Sequence, residues 1–382
     1  MTVNMHVNMW EGNFIIVKIF KNMTKNYFFV IGIASLAFIC PQLSAQPLSK
    51  TAFLKISHLN LRKLETENRA SLRYICKSGK DYPDSHIGCY AADADSYKVF
   101  ASFFDDIIET YHGFTSDQIH VTDRDLSKIV IPDEIANSEK ILSVRIRACR
   151  NLNGFAFGSI ISSDDRSMIE LLMRKTFINI DPSCSGSYLP LKNMSQEEKD
   201  LLITNHLLFD SNDKYMESAG FYKDWPNNRG IFLSKKNNFM VWLNEEDHLR
   251  IIALETGGNI KKAFETFLIA LNSIEKEVDF AYDRRLGYLS SCPSNLGTGM
   301  RASILIYLPE LGKNKKKLNK ICHQMGLNVR GKYGENNKKC NHIFDISNAK
   351  RLGISEVEII NLLIDGISEL IKLEDNLKEQ IN

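Results

Sequence analysis

Residues 143–149, SVRIRAC, constrain the fold more than any other stretch, because polar and apolar residues alternate along them. In a β-strand, Arg145 and Arg147 therefore share one face, while Val144 and Ile146 share the other. Similar patterns predict strands over 230–234, 239–244, 249–254 and 301–308, and helical periodicity predicts helices over 196–207, 260–274 and 355–377. We predict an α+β fold in which helices pack on one face of an antiparallel sheet.

Upstream of the sheet, residues 95–113 are predicted to form one helix. Apolar side chains recur there at helical spacing, and Gly113 is typical of a helix end. This helix would belong to a small, mostly helical first domain. The predicted division is a leader at 1–50, a shortened helical domain at 51–115, a linker at 116–139 and a larger domain at 140–378.

The leader contains an apolar run at residues 27–40, preceded by lysines and followed by Leu43-Ser44-Ala45. That order is typical of a secretory signal peptide, and an unstructured extension is the alternative. The eight cysteines are scattered and form no CxxC pair, which favours a reducing compartment. The prediction is a cytoplasmic protein, or a secretory one if 27–45 is a signal peptide. Membrane contact is expected only if the leader is an uncleaved anchor.

Composition and motifs exclude several function classes. The net charge of +2 gives no global field for nucleic acid, so no nucleic-acid partner is predicted. Cysteine and histidine spacing matches no structural metal site. No G-x-x-x-x-G-K-[ST] motif is present, so the chain is not a P-loop enzyme.

Arginines at strand ends and in loops suggest an anion site. The candidates are Arg145, Arg147, Arg250, Arg301 and Arg330, the last in the glycine-flanked segment VRGKYGE, which is predicted to be a loop. Guanidinium groups bind phosphate through a planar fork of donors, so five of them could hold a polyphosphate. The alternative is that each arginine forms a surface salt bridge.

Acidic residues form a second group of candidate site residues. Asn244–His248 places three acids between two apolar strands, and Glu335 closes the Arg330 loop. A glutamate near desolvated cations can orient a cationic substrate and accept its proton, while a solvated hairpin turn is the alternative. Cys292 precedes a glycine turn, Gly297-Thr298-Gly299, and has no adjacent histidine base for covalent catalysis.

Several motifs together resemble the ATP:guanidino phosphotransferases, the phosphagen kinases. They are CPSNLGTGMRAS, VWLNEEDHLRII, DWPNNRGIF, SVRIRACRNLNGF and FDISNAKRLGISEVE, in family order, and DSHIGCYAADADSY is most similar to arginine kinases. The resemblance implies a helical N-terminal domain and a catalytic domain with an eight-stranded antiparallel sheet, similar to that of glutamine synthetase. It also implies reversible transfer of the ATP γ-phosphoryl group to L-arginine, with Mg²⁺ carried by the nucleotide and no protein metal site.

The resemblance assigns roles residue by residue. It implies nucleotide contacts from Ser143, Arg145, Arg147, His206, Arg250, Arg301, Ser303, Arg330, Gly331 and Gly334. Glu246, Glu335 and Cys292 would contact the guanidinium, and Ser85, Ile87, Gly88 and Tyr90 would hold the other end of the acceptor. Glu246 is the predicted base, and Ser294 could lower the pKa of the Cys292 thiol.

The sequence departs from the family pattern at a few places. Val144 replaces a threonine, Asn205 an aspartate and Leu305 a histidine, and the loop at 331–342 is altered. We predict an active enzyme, expected to be a monomer, with a dimer as the alternative. A kinase for another guanidino acceptor such as taurocyamine, and a weakened pseudokinase, are the competing hypotheses.

Overall fold

The computed structural model describes residues 70–204, 207–209, 211–331 and 342–379. The predictions for the leader and for Asn205, His206, Gly334 and Glu335 lie outside these residues. Among the described helices, none is long and apolar enough to cross a membrane. Six cysteines of the described part carry free thiols.

The larger domain is built on one antiparallel sheet, as the sequence predicts. Its eight strands lie in the order β2-β3-β4-β5-β1-β8-β10-β9. The strands are β1 Ile141–Arg150, β2 Gly186–Pro190, β3 Gly230–Ser234, β4 Phe239–Leu243, β5 Leu249–Thr256, β8 Met300–Tyr307, β9 Leu327–Gly331 and β10 Ile343–Asn348, while β6 Tyr282–Asp283 and β7 Gly287–Tyr288 form a separate hairpin. The predicted α+β class is therefore confirmed.

Helices occur in both parts of the chain. In the N-terminal part they are α1 Leu72–Ile75, α2 Lys77–Asp81, α3 Ser96–Val99, α4 Ala101–His112 and α5 Asp133–Ala136. In the larger domain they are α6 Ser163–Ile178, α7 Gln196–Thr204, α8 Lys214–Ala219, α9 Ile260–Glu275, α10 Lys315–Gln324 and α11 Glu356–Glu379. Short 3₁₀ turns lie at Leu126–Lys128, Pro182–Cys184, Leu191–Asn193, Pro293–Asn295 and Leu311–Lys313.

One face of the sheet carries the main core. Helix α9 packs on β1 and β5, and α11 packs on β8 and β10. The alternation in β1 places Val144 and Ile146 in this core, both fully buried. Helix α11 begins with the predicted capping box, in which the Glu358 amide donates to Ser355 Oγ and the Ser355 amide to a Glu358 carboxylate oxygen. The opposite face carries the arginines, and a smaller apolar cluster that includes Leu202 of α7, Met240 and Ile252 covers part of it.

The helix predicted over 95–113 is in fact two helices, α3 and α4. The chain leaves helical geometry at Phe100, whose ψ is 33°. Phe100 is nonetheless buried, together with Phe103 and Phe104, in the core of the N-terminal part. The apolar spacing therefore predicted correctly which side chains are buried but missed the break between the two helices. The non-helical backbone at Phe100 still leaves all three rings in the core. Gly113 ends α4 in the left-handed conformation, as predicted.

The segment predicted as a linker is tied to the larger domain. Arg124 makes two hydrogen bonds to the Glu275 carboxylate at the end of α9, at 2.8 and 3.1 Å. It also donates to Glu356 at the start of α11. These contacts fix the path of the chain from α4 to β1.

Candidate active site

Arginines from several strands meet on the face of the sheet that lies opposite α9 and α11. Arg147 of β1 lies directly across from Arg301 of β8, and Arg250 of β5 lies across from Cys149 of β1. Directly opposed side chains in an antiparallel pair share a face, and like charges there repel. The arginine face consists of Arg145, Arg147, Arg250, Arg301 and Arg330. The structure thus brings all five predicted arginines to one surface.

Arg330 lies on a strand and not in a loop, which corrects the sequence interpretation. It belongs to β9 and pairs with Asp345 of β10. The glycine in VRGKYGE suggested a turn at this point, but Gly331 still pairs with Phe344. The strand therefore delivers Arg330 to the sheet face, and Gly331 is its last residue.

Two of the arginines form buried ion pairs. Arg250 lies 3.1 Å from a Glu245 carboxylate oxygen, and Arg301 lies 2.8 Å from Asp345. The surface salt-bridge interpretation fails for both because the partners are nearly fully buried. Asp345 carried no signal in the sequence, since its register opposite Arg330 exists only in the folded sheet.

Burial and mutual repulsion act on the other arginines of this face. Burial, and then the charges of Arg301 and Arg250, lower the pKa of Arg145 to about 10, although Asp345 opposes the shift. Burial, followed by the charges of Arg250 and Arg301, also lowers the pKa of Arg147. The folded protein therefore holds these guanidinium groups at an electrostatic cost, and a bound polyanion would relieve it.

Trp242 supports the arginine face and was missed by the sequence analysis. Its ring lies 5.7 Å from the guanidinium carbon of Arg145 and 5.6 Å from that of Arg250. Its indole N–H donates to the carbonyl of Leu207 at 2.8 Å. The alternation of β4 could have placed Trp242 on this face, opposite Arg250, but its partners come from other strands.

The acidic turn between β4 and β5 is buried, so the solvated-hairpin interpretation is wrong. Glu245, Glu246 and Asp247 are all less than a tenth exposed. Asn151 binds both sides of the turn: its amide nitrogen donates to Asp247 at 2.7 Å, and its oxygen accepts from the His248 amide at 2.9 Å. Arg229 donates from Nε to the carbonyl of Asn244 at 3.0 Å. The turn is thus held by residues far from it in the sequence.

Glu246 is linked to the segment that contains Cys292. Asn295 donates from its amide to Glu246 Oε1 at 3.0 Å, and Ser291 donates from Oγ to the Glu246 carbonyl at 2.9 Å. Burial, then the charge of Asp247, raises the pKa of Glu246 to about 8, although Arg250 opposes the shift. Burial therefore favours the protonated form of Glu246, and a further cation beside it would favour the ionised form.

Cys292 and Ser294 are in contact, as the sequence predicts. Cys292 Sγ lies 3.0 Å from Ser294 Oγ, and the thiol is buried. Gly297 and Gly299 follow with positive φ angles of 90° and 60°. A Cβ on Gly297 would lie 2.3 Å from the Arg351 carbonyl oxygen, so the turn requires glycine there.

Cys292→Ser is expected to lower kcat/KM for the guanidino acceptor by roughly 10- to 100-fold, the effect of one charge-assisted contact. A serine hydroxyl can keep the contact with Ser294 but does not ionise near neutral pH, so it cannot hold a cation by charge. Steady-state kinetics should show little change in KM for the nucleotide. Cys184→Ser, at a buried thiol outside the site, is the control. A phosphocysteine trapped during turnover would contradict this account.

The predicted acceptor loop, residues 85–90, packs against the Cys292 segment. The Ala91 amide donates to the Ser291 carbonyl at 2.7 Å, and the Tyr90 amide donates to the Ile75 carbonyl at 3.0 Å. Gly88 has a φ of 76°, and a Cβ on Gly79 would lie 2.5 Å from the Gly88 carbonyl oxygen. Ser85, Ile87 and Tyr90 are buried around this close approach. The loop is therefore fixed at both ends beside the candidate catalytic residues.

Other predicted site residues divide between the two faces of the sheet. Ser303 lies opposite Arg145, and Leu305 lies opposite Ser143, so Ser143, Ser303 and Leu305 share the face of Arg145. Val144 points into the helix-covered core. Its departure from the family pattern is therefore accommodated by packing and does not alter the arginine face, whereas Leu305 does change that surface.

Comparisons with known proteins agree with this geometry. The model of the ATP:guanido phosphotransferase N-terminal domain matches residues 55–109, and the model of the C-terminal catalytic domain matches residues 168–377. An arginine kinase from Artemia franciscana is 38% identical over 317 residues, 83% of this chain and 89% of the relative. A probable arginine kinase from Caenorhabditis elegans is 39% identical over 316 residues, 81% of this chain and 87% of the relative.

Solved structures show the same fold. A lombricine kinase has a TM-score of 0.80 at 33% identity and covers 88% of this chain and 93% of its own. The substrate-free duplicated taurocyamine kinase from Schistosoma mansoni has a TM-score of 0.81 at 31% identity, covering 87% of this chain and 47% of its own. The fold and these relatives define a phosphotransferase enzyme. The chain belongs to the ATP:guanido phosphotransferase family.

Proposed function

We propose that this protein is an arginine kinase, which transfers the γ-phosphoryl group of MgATP reversibly to the guanidinium of L-arginine. The observation that carries the proposal is the buried carboxylate of Glu246, linked by Asn295 to the Cys292 segment and followed in the chain by Arg250. A carboxylate that can bind a cation thus lies beside a group of arginines that can bind an anion. The similar arginine kinases support L-arginine as the acceptor.

The arginine face would bind the nucleotide. Arg145, Arg147, Arg250, Arg301 and Arg330 offer planar donor forks that match phosphate oxygens, which is the donor chemistry a polyphosphate requires. Magnesium would accompany the phosphates and add positive charge there. Phosphoryl transfer needs in-line positioning and charge compensation more than covalent chemistry from the protein. Because the guanidinium groups already repel one another, they would stabilise the negative charge that spreads over the phosphate oxygens in the transition state.

Glu246 would act as the base. A guanidinium beside it would favour its ionised form, opposing the pKa rise that burial causes. The carboxylate would take a proton from the attacking nitrogen as the N–P bond forms and the bond to the ADP oxygen breaks. Cys292 and Glu335 would hold the same guanidinium, and Ser85, Ile87, Gly88 and Tyr90 would hold the far end of the acceptor.

The test is a panel of guanidino compounds with MgATP and the full chain, read as ADP release. L-arginine is expected to give the highest kcat/KM. Preference for taurocyamine or lombricine would replace L-arginine as the acceptor but keep the reaction class. Nucleotide binding without turnover of any guanidine would establish a pseudokinase and overturn the proposal.

The domain boundaries and cellular context are part of the proposal. We place the helical domain at 51–115, the linker at 116–139 and the catalytic domain at 140–378. The enzyme would act as a cytoplasmic monomer. N-terminal sequencing of the expressed protein would contradict this location if residues 27–45 proved to be removed as a signal peptide.

A further inference from the structure

His86 lies inside the acceptor loop, between Ser85 and Ile87, and has no role in the site described above. Its ring packs edge-on against Tyr111 of α4, with 5.5 Å between the ring centroids. Its Nε2 atom is buried and forms no hydrogen bond with any group in the described part of the chain. A buried ring nitrogen without a partner is costly, so its retention needs a reason.

The surroundings of His86 favour an anion. Burial, followed by the charges of Arg330 and Arg351, lowers the pKa of His86. The resting imidazole is therefore neutral and carries one N–H donor. A negative group placed beside it would meet a donor in a region of positive potential.

The backbone of the same loop offers further donors. The amide N–H groups of residues 86 to 89 donate to no acceptor within the described residues, although the flanking amides of Ser85 and Tyr90 are both bonded. Successive free N–H groups in a turn form a concave site for an anion. The imidazole of His86 extends from the first of these residues.

We propose that the imidazole of His86 donates a hydrogen bond to the anionic end, a carboxylate or sulfonate, of the guanidino acceptor and so determines specificity for acidic acceptors. The proposal rests on the proposed function, because it needs the acceptor in the 85–90 loop. His86 would thus bind the end of the acceptor that lies farthest from the reacting nitrogen.

The test pairs two variants with two acceptors. His86→Phe keeps an aromatic ring against Tyr111 and removes both ring nitrogens, and His86→Gln keeps an N–H donor. The acceptors are L-arginine and agmatine, which has the same guanidinium but no carboxylate. His323→Phe, at an exposed histidine on α10, is the control.

For His86→Phe, KM for L-arginine is expected to rise about tenfold, the effect of losing one hydrogen bond to a charged group. KM for agmatine should change by less than about twofold, as should KM for MgATP, and His86→Gln should restore part of the affinity for L-arginine. Thermal unfolding of each variant checks that the fold is retained.

Equal losses for the two acceptors would show that His86 only shapes the loop, and no loss for L-arginine would show that it does not contact the substrate. Either result overturns the inference and leaves the proposed function standing. If the wild-type protein phosphorylates no guanidine, the proposed function fails. Equilibrium binding of L-arginine and agmatine to the same variants then decides the role of His86 on its own.

Discussion

Glu246→Gln is expected to abolish phosphoryl transfer while making the protein more stable at pH 8. Removing a general base costs roughly 10²- to 10⁴-fold in kcat. The substitution keeps the shape of the side chain and an oxygen that can accept from Asn295. It removes a buried acid whose pKa is raised to about 8, mainly by burial. ADP release and thermal unfolding measure the two effects.

The stability gain should depend on pH in a defined direction. The pKa of Glu246 in the folded protein lies above the ordinary value of 4.5, so the folded state is favoured at low pH and that advantage is lost as pH rises towards about 8. The melting temperature of Glu246→Gln should therefore exceed that of the wild type most clearly at pH 8 to 9, and the two should converge near pH 4.5.

A matched control separates this effect from a general change in charge. Glu265→Gln alters an exposed glutamate on α9 and should change neither kcat nor the pH dependence of unfolding. An equal stability gain at every pH would contradict the burial argument. A Glu246→Gln enzyme that retained more than a tenth of the wild-type kcat would remove Glu246 from the role of base.

Arg147→Met is expected to give the second large effect, a loss of at least 100-fold in kcat together with a more stable ligand-free protein. The loss corresponds to removing one preorganised donor from a charged transition state. The gain follows because burial and the charges of Arg250 and Arg301 already disfavour the charged form of Arg147. Methionine keeps an apolar stem without the charge. If the substitution stabilises the folded state by about 1 kcal/mol, the melting temperature would rise by about 2–4 °C.

Ligand-dependent stabilisation provides the matching measurement. A polyanion that binds only the folded state adds about 2.7 kcal/mol at 100 times its dissociation constant. MgADP and inorganic tripolyphosphate should therefore stabilise the wild type and stabilise Arg147→Met much less. Arg284→Met, at an exposed arginine between β6 and β7, is the control for removing one positive charge. A less stable ligand-free Arg147→Met would mean that repulsion does not dominate this face.

Sequence patterns predicted five strands of the sheet, because the alternation within a strand is a local property. The alternation over residues 143–149 places Arg145 and Arg147 on one side whatever the rest of the chain does. The same rule predicted β3 with the correct bounds and β1, β4, β5 and β8 to within two residues, whereas β2, β9 and β10 were not predicted. Helical periodicity failed at Phe100, where the backbone is not helical. The apolar side chains on both sides of Phe100 stay buried, so their spacing does not reveal the interruption.

The role of Arg330 shows a second limit of local reasoning. Glycines around it suggested a loop, yet strand pairing with β10 extends through Gly331. Pairing satisfies backbone groups of both strands, and that requirement outweighs the weak strand preference of glycine. The partner strand starts at Ile343, twelve or more positions away, so the residues around Arg330 could not show it.

The sequence by itself determined the fold class, the family and the shared face of Arg145 and Arg147, because these follow from local alternation and from motifs, whereas strand pairing added Arg250, Arg301 and Arg330 to that face. Only the tertiary structure decided that the Glu245–Asp247 turn is buried, that Asn295 binds Glu246 from 49 positions away and that Asp345 balances Arg301. Burial and charge depend on which distant segments come together, and so do the pKa of Glu246 and the unpartnered nitrogen of His86.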